Sequence, residues 1–183
     1  QDGEQSLSDL AGRLKTALSD DLLSIVLYGS AARGDRVEGA GDLNVIVVLR
    51  EIDLRLLGKA SAINKDWEKA GNRALLFFSP WWIAHSCDVF PLEFLDILEA
   101  RRVLHGEDPF AGLTVSRDNL RLQCESEIKT RLIQLRTGYL EYHDEAGQLA
   151  RLLAASYSPL AALCRGILRL TGESPPQKAA DAV

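Results

Sequence analysis

The run from residue 42 to residue 49 has the strongest strand pattern in the sequence, and it most restricts what the chain can fold into. It is rich in Val and Ile, which favour strands. Its period of two puts alternate side chains on opposite faces: Asp42, Asn44 and Ile46 on one, Leu43, Val45 and Val47 on the other. A second apolar run, residues 24 to 28, stops abruptly at Gly29 and predicts a buried strand that enters a tight turn.

Two apolar stripes at helical spacing flank these strands. The first consists of Leu7, Leu10, Ala11, Leu14 and Leu18, and the second of Leu56, Ala60, Ile63 and Trp67. The second stripe closes at Gly71 and Asn72, which are good residues to end a helix. A further strand is expected at residues 74 to 78. The first part of the chain therefore predicts an α/β (α+β) domain with a mixed sheet flanked by helices.

Prolines punctuate the next segment. Pro80 begins a short helix or turn, and extended character returns around residues 87 to 90, where Pro91 suggests a sheet edge. This pattern predicts a third strand with Asp88 on or beside it. Residues 92 to 103 have charges at roughly helical intervals and predict a helix.

The second half of the sequence reads as helical. One long stripe consists of Leu120, Cys124, Ile128, Leu132, Leu135, Tyr139 and Tyr142. Two shorter helices are expected, at residues 149 to 157 and 160 to 170, with Pro159 between them and Gly172 at the end. The prediction is one domain of residues 1–112 built around the sheet, followed by an all-α helical bundle domain of residues 113–183.

Composition narrows the class of protein. The chain has 183 residues, 46% of them hydrophobic, and a formal net charge of -5, so it lacks the overall positive field that holds long nucleic acids. Its apolar runs are too short to cross a membrane, and the start lacks a secretory signal, so we expect a cytoplasmic protein. Three widely spaced cysteines indicate reduced thiols. The sequence lacks methionine and ends in what resembles the first turn of a helix, so we expect a truncated chain.

The turn at Gly29 and Ser30 and the strand that opens at Asp42 predict one ligand between them. A turn where a buried strand ends can leave backbone N–H groups free to receive an anion such as a triphosphate. Asp42 would come to the same end of the sheet, where its carboxylate could hold a divalent cation on the phosphate oxygens. Taken singly, each residue has a simpler reading: Gly29 as a plain turn, Ser30 as a helix cap and Asp42 as a turn residue.

The motif resembles the nucleotidyltransferase signature of the DNA polymerase β superfamily. It consists of Leu27-Tyr28-Gly29-Ser30, eleven intervening residues, and Asp42-Leu43-Asn44-Val45. Residues 31 to 35, Ala-Ala-Arg-Gly-Asp, are also typical of small bacterial members. The wider likeness covers most of the chain and is to predicted nucleotidyltransferase-domain proteins with a helical C-terminal domain.

The resemblance implies specific roles. Gly29 and Ser30 would grip the β and γ phosphates of a nucleoside triphosphate, and Arg33 would lie near the nucleotide. Asp42 and Asp88 would be the catalytic carboxylates that bind Mg²⁺, with Glu93 the fallback for Asp88. A nucleoside monophosphate would pass to an unknown acceptor.

Asn44 departs from the family pattern. Active enzymes have Asp or Glu at this position, and Asn carries no charge and binds Mg²⁺ weakly. The sequence therefore predicts nucleotide binding with weakened or lost catalysis. For Asp88 an ordinary loop acid, for Asn44 a polar edge-strand residue and for Arg33 a solvated charge remain open.

Two rival functions remain open at this stage. The protein could be a non-catalytic module whose helices bind a protein partner or form a homodimer. Alternatively, Arg136 and His143 resemble the short Arg-to-His motif of HEPN ribonucleases, and residues seven apart return to nearly the same helix face. Trp81 and Trp82 could stack on a base, although packing at a core edge is favoured for such a pair.

Overall fold

The computed structural model describes residues 2–33, 43–173 and 175, apart from the side chain of Asp2. The elements in chain order are α1 (Asp2–Leu18), a 3-10 helix (Ser19–Asp21), β1 (Leu22–Tyr28), α2 (Ser30–Arg33), β2 (Asn44–Leu49), α3 (Leu54–Lys69), β3 (Leu76–Phe78), α4 (Pro80–Ala84), α5 (Pro91–Glu99), β4 (Arg101–Gly106), α6 (Arg117–Tyr142) and α7 (Ala146–Thr171). No described helix is long and apolar enough to cross a membrane.

The chain divides into two compact units. The sheet unit comprises residues 1–86 and 95–114, and the helical unit comprises residues 87–94 and 115–183. The sheet unit contains all four described strands, in the order β3-β2-β1-β4. Strand β1 pairs antiparallel with both β2 and β4, while β3 runs parallel to β2. The strand that leads into Gly29 is therefore held by hydrogen bonds on both sides.

One face of the sheet is covered by α1 and α3. The core there contains all five leucine and alanine positions of the first stripe as buried or partly buried residues, and the four residues of the second stripe. The core also takes Leu43, just before β2, and Val45 and Val47 of β2, as the alternation predicts. Asn44 and Ile46 consequently occupy the opposite face, together with Tyr28, which pairs with Asn44 across the strands.

The helical unit contains a hairpin of α6 and α7, two helices of 26 residues each. Its helices approach closely at Gly138, where an added β-carbon would lie 2.6 Å from Leu152 Cδ2. A second close contact is at Gly166, where an added β-carbon would lie 2.4 Å from Leu92 Cδ2 and 2.9 Å from Cys124 Sγ. Small residues at these positions let the helices pack together.

The strand predicted at residues 87 to 90 is wrong. Residues 85–89 form turns, so Asp88 lies in a turn and not on a strand. Pro91 begins α5, and proline is well tolerated in the first turn of a helix because its missing N–H is not needed there. The Leu92 amide donates to Gln123 Oε1 at 2.8 Å, which satisfies an N–H group at the start of α5.

The prediction of a continuous helix at residues 92 to 103 is half wrong. Helix α5 ends at Glu99 and strand β4 begins at Arg101. The strand forms because residues 101–106 pair with β1, and those ladder hydrogen bonds override a weak helical pattern.

The two short helices predicted on either side of Pro159 are a single helix, α7. Proline removes one backbone donor, so the Ala155 carbonyl loses its partner four residues later. Ala155 is exposed, which leaves that carbonyl open to water. The helix ends at Gly172 in the left-handed conformation, as predicted.

Candidate functional site

The turn after β1 is built around Gly29. Its φ is +80°, a backbone conformation that glycine adopts at little cost. The Gly29 amide donates to the Ala100 carbonyl at 2.9 Å, and the Gly29 carbonyl accepts from the amides of Ala32 and Arg33 at 3.0 and 3.3 Å. Among the described residues, no acceptor is found for the amides of Ser30 and Ala31. Two backbone donors at this turn are therefore available to an anion.

Asn44 packs against this turn. A β-carbon built at Gly29 would lie 3.3 Å from Asn44 Nδ2, and Asn44 pairs with Tyr28 in the antiparallel register. The amide group of Asn44 thus lies beside the backbone that would hold a phosphate. Any side chain at position 29 would both strain the backbone and press on Asn44.

Tyr28 stands next to Asn44 on the sheet face opposite the α1 and α3 core. Burial raises the pKa of the Tyr28 hydroxyl, and the nearby positive charge of Arg73 partly opposes that rise. On its other side Tyr28 pairs with Arg101 of β4. The site therefore has a row of polar residues across β4, β1 and β2, namely Arg101, Tyr28 and Asn44. Sequence patterns alone did not reveal Arg101 or the nearby Arg73 as parts of the site.

Arg101 is held in place by Asp108. Its guanidinium donates to Asp108 through Nε at 3.0 and 3.2 Å and through Nη2 at 2.8 Å, and Nη1 donates to the Leu98 carbonyl at 2.5 Å. This two-pronged ion pair is a strong, directional arrangement. It keeps the pKa of Asp108 below its usual range, with help from the Phe110 amide.

The three predicted carboxylates are those of Asp42, Asp88 and Glu93. Asp42 lies outside the residues that the structure describes. Asp88 lies in a turn of the helical unit, and Glu93 in that unit accepts a hydrogen bond from Gln123 Nε2 at 2.9 Å. Their roles remain predictions.

The other predicted binding residues do lie together. Gly29 and Ser30 form the turn, Arg33 ends the four-residue helix that follows, and Asn44 lies against Gly29. Ser30 is exposed and Arg33 is half-buried. The described residues of the sequence motif are therefore neighbours around Gly29.

The described part of this site does not by itself fit a magnesium ion. No group of three His, Cys, Asp or Glu residues that could hold a metal ion is found among the described residues. At the Gly29 turn the described side chains offer the amide of Asn44 and the hydroxyl of Ser30, whereas Mg²⁺ prefers carboxylate and phosphate oxygens. Metal binding would depend on Asp42.

Asn72 fixes the start of β2. Its Oδ1 accepts from the Leu43 amide at 3.3 Å, and its Nδ2 donates to the Trp67 carbonyl at 3.3 Å. Asn72 thus joins the end of α3 to the residue directly after Asp42. Its sequence context indicated a helix end, but this cross-link depends on the folded sheet.

The described residues outside this surface include the predicted Arg136 and His143 pair and one sizeable cavity. His143 Nε2 lies 2.9 Å from Asp144 Oδ2, while Arg136 lines a shallow apolar groove with Leu135, Tyr139 and Leu140. At the opposite end of the sheet, a cavity of about 400 Å³ is lined mainly by apolar residues, and its polar lining residues are Ser24, Glu107 and Asp108. Ser24 already donates to the carbonyls of His105 and Glu107 at 3.0 and 2.8 Å.

The comparison with solved structures relates this architecture to a known enzyme. The chain matches the spectinomycin adenyltransferase AAD(9) from Enterococcus faecialis, solved with ATP and spectinomycin, with a TM-score of 0.56. The match covers 95% of this chain and 79% of that one at 11% identity. The chain has a nucleotidyltransferase-like fold.

The nucleotidyltransferase-like fold is shown by comparison of structures and not by comparison of sequences. No protein-family model matches the chain, and no curated protein matches it. At 11% identity the neighbour shows the fold, and function must come from the residues of the site itself.

Proposed function

We propose that the protein binds a nucleoside triphosphate, ATP in the first instance, at the turn formed by Gly29 and Ser30. The observation that carries the proposal is the turn itself: a positive-φ glycine after a buried strand, followed by two amides without a described acceptor. Such amides bind phosphate oxygens well because they supply fixed positive dipoles. The fold of an adenyltransferase solved with ATP supports the choice of ligand.

Two side chains near the Gly29 turn, those of Asn44 and Arg73, suit the phosphates of a nucleoside triphosphate. Asn44 can donate or accept a hydrogen bond beside the phosphates. Arg73, whose charge reaches Tyr28, adds a positive charge at the same end of β1. The protein as a whole is acidic, so this local positive charge would offset part of its repulsion of a triphosphate.

We assign Mg²⁺ binding to Asp42; Asp88, the second predicted ligand, lies in a turn of the helical unit and not on the predicted strand, and no metal-binding role is proposed for it. When bound, the ion would neutralise phosphate charge. Asn44 replaces a carboxylate of the family pattern, and a neutral amide contributes less than a carboxylate to a magnesium site. The proposal is therefore a binding protein whose transfer reaction is slow or absent.

The reaction that belongs to this site is transfer of a nucleoside monophosphate. An acceptor oxygen forms a bond to the α-phosphorus while the bond from that phosphorus to the bridging oxygen breaks, and pyrophosphate leaves. The acceptor's proton passes to water. AAD(9) is an adenyltransferase solved with a small-molecule acceptor, so a small molecule is the acceptor class to test first.

Calorimetric titration tests the proposal directly. Purified protein is titrated with ATP, GTP, CTP and UTP, each with and without Mg²⁺. We expect ATP to bind and Asp42→Ala to remove the part of the affinity that depends on Mg²⁺. Asp20→Ala is a matched control, because Asp20 precedes β1 at the end far from Gly29 and its loss should leave binding unchanged.

Two results would oppose the proposal. Absence of binding by all four nucleotides would favour a module that has kept the fold for its partners. Equal effects of Asp42→Ala and Asp20→Ala would show that Asp42 has no specific part in the site.

A further inference from the structure

The cavity at the end of the sheet far from Gly29 reaches into the core of the sheet unit. It has a volume of about 400 Å³, within the range of about 300 to 1,000 Å³ that small-molecule sites occupy. Three of the side chains that line it, those of Ser24, Val48 and Ile83, are at most 2% exposed. The cavity is therefore a depression with a buried floor, and all of its lining residues belong to one compact unit.

The segment that follows β4 forms part of this cavity and is held by hydrogen bonds. The Ser24 hydroxyl contacts the carbonyls of His105 and Glu107 at 3.0 and 2.8 Å. The Asp108 carboxylate accepts from Arg101 Nη2 at 2.8 Å. Because these contacts fix the segment without a ligand, the cavity is preformed, as small-molecule sites usually are.

The lining of the cavity combines apolar side chains with negative charge. Seven of its eleven residues have apolar side chains, two are acidic and none is basic. The charge of Asp108 is already offset by its ion pair with Arg101. Glu107 is exposed, and among the described residues no partner is found for its carboxylate. The Glu107 carboxylate thus stands at the rim of an apolar cavity.

We propose that this cavity binds a small organic cation, a molecule with an apolar body and one protonated amine. The apolar body leaves water for the apolar lining, which is the main favourable contribution to its binding. The ammonium group stays at the rim and pairs with the Glu107 carboxylate. A ligand with a carboxylate would meet negative charge there and find no basic lining residue, so the site discriminates between the two charges.

This site is separate from the proposed nucleotide site. Ser24 and Tyr28 lie four residues apart on β1, about 13 Å at about 3.3 Å per residue. The amides proposed to bind phosphate follow Tyr28, beyond that end of the strand. Binding to the cavity can therefore be measured without nucleotide, and its failure would leave the nucleotide proposal untouched.

NMR titration of the full chain with 4-phenylbutylamine, 4-phenylbutanol and 4-phenylbutyrate tests the proposal, since these probes share one apolar body and differ in the head group. We expect the amine to shift the methyl signals of Val48, Ile83 and Leu113, which line the cavity. Its dissociation constant should be on the order of 0.1 to 1 mM, a usual affinity for a ligand of about eleven non-hydrogen atoms. The carboxylate should bind about fivefold more weakly, and the alcohol should lie between the two.

Substitutions at position 107 test the part played by charge. Glu107→Gln should bring the affinities of the amine and the carboxylate within about twofold of each other, and Glu107→Lys should reverse their order. Asp9→Asn is the matched control, because Asp9 is an exposed acid on α1, which covers the other face of the sheet; it should leave the order unchanged. An amine that shifts none of the three methyl signals would overturn the proposal. So would equal affinities of the amine and the carboxylate in the unchanged protein, or a preference for the amine that survives Glu107→Gln.

Discussion

Tyr28 and Asn44 face each other directly across β1 and β2, on the side of the sheet opposite the α1 and α3 core. Tyr28 is the last residue of β1 and Asn44 the first of β2, and Asn44 also lies against the Gly29 backbone. The pair therefore forms the wall of the proposed phosphate site. Changes to this wall and to its supports give four predictions.

Asn44→Asp should convert nucleotide binding into binding that depends strongly on Mg²⁺. Asp has nearly the shape of Asn, so the pairing with Tyr28 is kept while a negative charge is added. With Mg²⁺ present, we expect ATP affinity to rise roughly tenfold, or about 1.4 kcal/mol. Without Mg²⁺, the added charge repels phosphate and affinity should fall.

Titration calorimetry of Asn44→Asp, with Asn44→Ala as the control, checks this prediction. The alanine variant lacks the charge, so it should show no such gain. An aspartate variant with the same ATP affinity with and without Mg²⁺ would contradict the assignment of this site.

Gly29→Ala should lose nucleotide binding as well as stability. The positive φ costs a non-glycine residue about 1 kcal/mol, and the new methyl group would press on Asn44 Nδ2 at 3.3 Å. Gly71→Ala is the control, since Gly71 has a φ of +87° but nothing within 4 Å of an added β-carbon. Denaturation should show a loss of stability for Gly29→Ala at least as large as that for Gly71→Ala, while only Gly29→Ala weakens ATP binding.

Gly106→Ala should destabilise the sheet unit severely. Gly106 has a φ of +75°, and an added β-carbon would lie 1.9 Å from the Leu23 carbonyl oxygen. Because the obstacle is backbone and cannot rotate away, β4 must shift away from β1, and we expect a loss of roughly 3 kcal/mol or more. Gly112→Ala shares the positive φ but meets open space, so it should lose only about 1 kcal/mol. Urea unfolding of both variants measures the difference, and equal losses would argue against this β1 and β4 pairing.

The ion pair of Arg101 and Asp108 should stabilise the protein at neutral pH and less in acid. The folded pKa of Asp108 lies below the unfolded value, so the contribution is fully present above the unfolded pKa of about 3.9. It is lost as pH falls through the folded pKa, when the carboxylate takes up a proton. The pair is partly exposed, which limits its contribution to about 1 kcal/mol.

Urea unfolding of Asp108→Asn at pH 7 and near pH 3 checks the sign of this effect. The variant should be less stable than the unchanged protein at pH 7, and the gap should narrow in acid. A gap of the same size at both pH values would mean that packing and not charge sets the effect of this substitution.

The regular parts of the fold were predictable because the spacing of their apolar residues is compatible with only one type of secondary structure. The stripe of Leu56, Ala60, Ile63 and Trp67 can face a core only as a helix, and all four are buried. The alternation after Asp42 correctly separated Asn44 from Val45. Such local patterns survive in the folded chain because tertiary packing reinforces them.

Elements defined by distant partners were not predictable in this way. Strand β4 contains two arginines and a histidine, and it is a strand because β1 offers it unpaired hydrogen-bonding groups. The turn that contains Asp88 and the unbroken path of α7 through Pro159 likewise depend on tertiary context. In the candidate site, the motif predicted the Gly29 surface, but the supports from Arg101 and Asn72 come from residues far along the chain.

The alternation of the chain between its two units sets an order for assembly during synthesis. Residues 87–94 belong to the helical unit, residues 95–114 return to the sheet unit with β4, and α6 and α7 follow. As the chain emerges from the ribosome, residues 87–94 appear before the helices that will cover them. All four described strands have been synthesised once residue 106 has emerged. Residues 87–94, by contrast, can pack against α6 and α7 only after those helices have been made. A break between residues 86 and 95 would therefore interrupt both units at once.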